Sequence, residues 1–155
     1  MRQIPYIVPD AQGWLEKFNF SVPIKVRYFE TDMLGHVNNV SYFIYFEQGR
    51  VDYLDHLQLA EDLFNEENVC VVADMHCHYL SQIFIKEPLK LGVRIAKLGR
   101  SSFDLEYSLV EAASGQLKAA ARGTMVYISK KTGASIPIPD AVREQIISAE
   151  GANLA

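Results

Sequence analysis

A chain of 155 residues with 49% apolar and 22% charged side chains is too apolar to be disordered and large enough to bury roughly 70% of its unfolded surface. One domain spanning residues 1–155 is expected, with its core over about residues 20–130 and short terminal extensions. The net charge of −4 speaks against a nucleic-acid partner, which asks for a basic footprint, but leaves room for an anionic small ligand held by local basic groups.

Residues 9–18 predict a short helix with Trp14, Leu15 and Phe18 as its apolar face. Residues 20–30 then alternate, with Phe20, Val22, Ile24, Val26 and Tyr28 on one side and Ser21, Lys25 and Arg27 on the other, the period of a half-buried strand. Pro23 marks its first half as an edge or a bulge. A helix is expected over residues 40–57, so apolar in its first half that protein should surround it. Gly49 inside it implies close approach to a sheet. Residues 59–68 read as a connection.

Four strands follow, over residues 69–85, 89–98, 102–112 and 116–129, separated by turn signals at Glu87-Pro88, Gly99-Arg100-Ser101 and Ala113-Ser114-Gly115. Connections this short imply hairpins, so the fold class is α+β, an antiparallel sheet of about five strands wrapped on one long central helix. Residues 139–149 suggest a last short helix. Phe103, Leu105, Tyr107 and Leu109 alternate with Asp104, Glu106 and Ser108 to give one buried face. Ala119, Ala120, Ala121 and Gly123 leave room for the helix or for a ligand tunnel. Such a sheet still exposes a face and an edge, which oligomerisation would cover.

Cys70 and Cys77 do not make a disulfide framework, and their odd spacing would set them on opposite sides of a regular strand. Buried reduced thiols are expected. By the same count His76 and His78 share a face with Cys70, yet no metal-ligand spacing supports a site, so they read as packing residues. The first ten residues carry prolines and no apolar run of secretory length. The longest uncharged run, residues 33–46, is too short for membrane insertion. A cytoplasmic location is the resulting expectation.

The most informative stretch is Thr31-Asp-Met-Leu-Gly-His-Val-Asn-Asn-Val40. It sets an acid, Asp32, beside the start of a helix whose first N–H groups lack intrahelical partners and can bind developing negative charge. Gly35 permits a tight turn, and Asn38 and Asn39 are good N-cap residues. Aspartates in such places often only cap backbone groups, whereas one carboxylate plus an oxyanion-binding helix end is nearly all that hydrolysis of an activated ester needs.

Arg27-Tyr-Phe-Glu-Thr-Asp32-Met-Leu-Gly35-His36-Val-Asn38-Asn39-Val-Ser-Tyr42-Phe43, with Glu47 and Arg50 beyond, resembles the 4-hydroxybenzoyl-CoA thioesterase group of hotdog-fold acyl-CoA thioesterases. The resemblance is strongest over residues 20–57 and extends in strand order to about residue 130. It implies an acyl-CoA thioesterase, acting on acyl-CoA or acyl carrier protein without metal or other cofactor, as a homodimer or homotetramer with sheets paired edge to edge. It casts Asp32 as the catalytic carboxylate, either nucleophile or general base for water, and the Asn39 backbone N–H as the oxyanion donor. His36, Tyr42 and Glu47 become substrate-binding candidates, Glu47 also the rival carboxylate, while Arg100, Ser101 and Ser102 correspond to a hairpin that meets the CoA phosphates. The competing readings are a hotdog dehydratase or hydratase and a non-catalytic acyl-CoA-binding protein.

Overall fold

The computed structural model describes residues 3–155. A short helix α1 (Ala11–Leu15) precedes strand β1 (Ser21–Ile24), the long helix α2 (Asn39–His56) and a one-turn helix α3 (Ala60–Leu63). Strands β2 (Asn68–Tyr79), β3 (Leu89–Leu98), β4 (Ser102–Glu111) and β5 (Leu117–Ser129) follow, and helix α4 (Asp140–Glu150) comes last. The strands form one antiparallel sheet in the order β1-β3-β4-β5-β2, with α2 laid across one face against β3 and β1. This is the hotdog arrangement.

Eighteen residues give α2 a length of about 27 Å. Tyr42, Tyr45, Phe46, Gly49 and Tyr53 recur at helical spacing and are buried against the sheet. A Cβ on Gly49 would overlap Leu91 Cδ2 and stand 3.1 Å from Val93 Cγ2, so its absence lets α2 lie close on β3. Protein does not surround the helix as its sequence suggested: Val40, Ile44 and Val51 form an exposed apolar stripe.

The first strand is shorter than its alternation implied. β1 keeps Phe20, Val22, Ile24 and Val26 toward the core, but residues 28–30 turn into a 3₁₀ helix and leave Tyr28 83% exposed. Pro23 does lie in an edge strand. β2 ends at Tyr79 instead of running to residue 85, because Leu80 and Ser81 both donate to the Lys118 carbonyl and the chain leaves the ladder there.

A β-bulge between Val72 and Asp74 reverses the side-chain parity of β2. Cys70 therefore lies opposite Tyr127 and Cys77 opposite Ala121, both on the α2 face, while His76 and His78 turn to the other face. The two thiols share a face and remain free. At this bulge a Cβ on Gly123 would meet the Asp74 carbonyl oxygen at 2.9 Å, so that glycine serves strand approach, not a tunnel.

The opposite face of the sheet is not left to solvent. Residues 4–18 cover it, with Ile4, Tyr6 and Trp14 packed over Ala120. Trp14 Nε1 donates to Glu106 Oε2 at 2.7 Å, and Arg94 pairs with the same oxygen at 3.1 Å and donates to the Asn153 carbonyl. Glu106 and Ser108, on the polar side of the β4 alternation, are thereby buried.

Candidate active site

The loop between the 3₁₀ turn and α2 is closed on itself. Asp32 N donates to the His36 carbonyl at 2.7 Å, Gly35 N returns to the Asp32 carbonyl at 3.1 Å, and Thr31 bridges Val37. Gly35 has φ +78°, a left-handed conformation that glycine adopts without a Cβ penalty. Asp32 Oδ1 accepts from Leu34 N at 2.8 Å and His36 N at 3.2 Å, so this carboxylate does shape its own turn. Oδ2 accepts from nothing among the described residues. The carboxylate is exposed in the single chain.

Asn38 is the N-cap of α2, its side chain accepting from Val40 N. Asn39 is then the first helical residue, and its N–H donates to no acceptor among the described residues. Asp32, His36, Asn39 and Tyr42 line one cavity of about 350 Å³ together with Tyr79, Leu80, Ser81 and Gln82. An acid, the first residue of a helix and several polar residues thus line the same space.

Tyr79 and the segment after it were not singled out in the sequence. The polar pair Ser81-Gln82 inside an apolar run was the signal that the strand ends and a cavity wall begins. The Tyr79 hydroxyl donates to the Asn39 carbonyl at 3.0 Å, and its ring meets Tyr42 edge-on at 4.8 Å. Burial, reinforced by Cys77, Tyr79 and Glu87, pushes the Tyr42 phenol up to about 12. Burial likewise pushes the Cys77 thiol up to about 12. Both stay protonated near neutrality, so Tyr42 remains a donor and Cys77 is no thiolate nucleophile. His36 stacks edge-on against Phe84 at 4.7 Å while facing the cavity.

The other candidates lie elsewhere in the chain. Glu47 is exposed on α2 and lines a second, mainly apolar cavity of about 550 Å³ with Arg50, Val51, Leu54, Phe64, Cys70, Val72 and Met125. Arg50 donates to the Tyr107 hydroxyl, not to Glu47. Arg100, Ser101 and Ser102 turn between β3 and β4, at the sheet end where Ser102 pairs Val126 and Val126 pairs Val71. Seven ladder steps along β5, Val126 to Ala119, about 23 Å, separate that level from Tyr79. Among the described residues no three His, Cys, Asp or Glu side chains group to hold a metal ion, and no helix is long and apolar enough to cross a membrane.

The model of the thioesterase-like superfamily matches residues 26–146. The Bacillus subtilis (strain 168) protein YsmA is 35% identical over 95% of this chain and 98% of its own length. The long-chain acyl-CoA thioesterase FadM of Escherichia coli (strain K12) is 26% identical over 79% of this chain and 93% of its own. A thioesterase of Thermus thermophilus, solved with coenzyme A and zinc, superposes with a TM-score of 0.74 at 35% identity, covering 88% of this chain and 98% of that one. The chain belongs to the thioesterase-like superfamily and is a thioester hydrolase on the hotdog fold.

Proposed function

We propose that this hydrolase cleaves acyl-CoA esters, with Asp32 and the Asn39 amide as its catalytic pair. The observation that carries the reading is that Asp32 and Asn39, the first residue of α2, line one shared cavity. The thioester oxygen sits at the start of α2, where the Asn39 N–H binds it as charge develops, a type of contact worth roughly 10²–10³ in rate. Asp32, through its free Oδ2, takes the proton of a water that attacks the carbonyl carbon. The C–S bond then breaks and CoA leaves as its thiolate, which solvent protonates. His36 and Tyr42 orient the acyl carbonyl, and a fatty acyl chain runs between α2 and β2 toward the apolar cavity beside Glu47.

A second copy of the chain completes the site. β2 is an edge strand with Val71 and Val72 exposed on its two faces, and Val72 shares the apolar cavity with Val51 of α2. Antiparallel pairing of two β2 edges lays the Val71 end of one copy along the Tyr79 end of the other. The partner subunit's Arg100, Ser101 and Ser102 then reach the CoA phosphates, which the same hairpin of the same chain is too far away to do.

Thiol release from a panel of CoA esters tests the reading. Asp32→Asn keeps an acceptor for Leu34 and His36 and lowers kcat by about 10²–10⁴, whereas Glu47→Gln leaves it within about threefold. Full activity in Asp32→Asn overturns the assignment. Single turnover in H₂¹⁸O separates base from nucleophile, because a nucleophilic Asp32 takes up the label itself.

A further inference from the structure

We infer that Glu30, two residues before Asp32, is the positioning residue that holds the catalytic aspartate and the oxyanion-binding helix start in one rigid frame. Glu30 is 1% exposed, an unusual place for a carboxylate unless every lone pair is used. Its side chain accepts from Arg27 N at 2.8 Å, from Arg27 Nε at 2.8 Å and from the Tyr45 hydroxyl at 2.6 Å, and it pairs with the Arg27 guanidinium at 2.7 Å. Its backbone carbonyl accepts from Asn38 N at 2.8 Å and from the Ser41 hydroxyl at 3.1 Å.

One residue thus ties together three segments. The carboxylate locks the 3₁₀ turn to the second turn of α2 through Tyr45. The carbonyl locks the loop to the N-cap Asn38 and to Ser41 in the first turn. Between these anchors, Thr31 is held by the Tyr28 carbonyl through both its N–H and its hydroxyl. Asp32 therefore leaves a fixed point and returns, through Asn38, to the same fixed point. The distance from the Asp32 carboxylate to the Asn39 N–H is set by Glu30, not by contact between the two.

A misplacement of about 1 Å can cost 10²-fold in rate, so such a frame belongs to the chemistry even though Glu30 touches no substrate. A residue needed only for packing would be served as well by an apolar side chain, since buried charge is costly.

The inference rests on the reading of Asp32 and Asn39 as the acting pair, and its test carries one arm that is independent of activity. Glu30→Gln keeps the shape and removes the charge. Tyr45→Phe removes one hydrogen bond and serves if the first variant fails to fold. Trp14→Phe, on the opposite face of the sheet, is a control that lowers stability without touching the loop. Expected is a kcat loss of about 10- to 100-fold in Glu30→Gln with KM within about threefold, a smaller loss in Tyr45→Phe, and kcat unchanged in Trp14→Phe. Amide hydrogen exchange of Leu34, His36 and Asn38 should accelerate in both loop variants and not in the control. Unchanged exchange overturns the inference whether or not the enzyme turns over, as does a kcat loss in the control equal to that in Glu30→Gln. A wild-type chain that releases no thiol sinks the acyl-CoA reading instead, and the exchange arm still decides about Glu30.

Discussion

Trp14→Phe probes how firmly residues 4–18 belong to the fold. The indole is 0% exposed, meets Phe18 edge-on at 4.9 Å and donates at 2.7 Å to Glu106, itself 3% exposed. Phenylalanine keeps most of the ring contact but strips one hydrogen bond from a buried carboxylate. Bonds to charged groups are worth roughly 1.5–3 kcal/mol, and the smaller ring forfeits about 1 kcal/mol of apolar burial. Arg94 still holds Glu106, so the full 3–5 kcal/mol of a broken buried pair does not apply. The sum, about 2–4 kcal/mol, corresponds at this chain length to a fall in Tm of about 5–15 °C. Calorimetry measures it. Trp14 is also the only tryptophan, so its fluorescence reports on this segment alone. In urea the wild-type fluorescence and far-UV circular dichroism transitions should coincide, as one cooperative unit requires. A Tm change below about 1 °C, or fluorescence that changes well before the circular dichroism, would refute the reasoning, because the segment would then be an appendage.

Gly49→Ala gains about 1 kcal/mol of helix propensity but drives a methyl into the fully buried Leu91, so a net loss of roughly 1–3 kcal/mol is expected at unchanged m-value, and a raised urea midpoint would contradict it. Burial alone would raise the Glu30 carboxyl, but hydrogen bonds from the Arg27 amide, the Tyr45 hydroxyl and the Arg27 side chain hold it below its usual value near 4.5. A depressed carboxyl contributes stability above its unfolded pKa and loses it as pH falls through the folded one, so the stability gap between wild type and Glu30→Gln should shrink below about pH 4.5; a gap constant from pH 7 to 3 would contradict this. Tyr79→Phe keeps the ring against Tyr42 and deletes the bond to the Asn39 carbonyl; kcat should fall roughly 2- to 10-fold with stability little changed, and an unaltered kcat would remove Tyr79 from the site.

Much of the architecture was legible because side-chain period is a local property. The β3 strand over residues 89–98 and the final helix followed from pattern and turn residues alone, and the close approach at Gly49 from one missing Cβ. The motif from Thr31 to Val40 likewise announced an acid, a turn and a cap in the order in which they are built. Its companion wall was missed, because Tyr79, Ser81 and Gln82 arrive from a strand end some forty residues away. The bulge in β2 was also invisible. One extra residue changes no composition, yet it sends His76 and His78 to one face and both cysteines to the other.

Local spacing by itself determined most of the elements and the antiparallel order of the hairpins, since each depends on residues within a few positions of one another. Only the tertiary structure decided what faces what. That Glu30 is the buried knot of the loop, that the Arg100 turn stands about 23 Å up the sheet from Tyr79, and that residues 4–18 seal the far face all depend on contacts between segments distant in sequence. Such contacts are chosen by which packing buries the apolar faces while pairing most buried polar groups, and no window along the chain contains both partners.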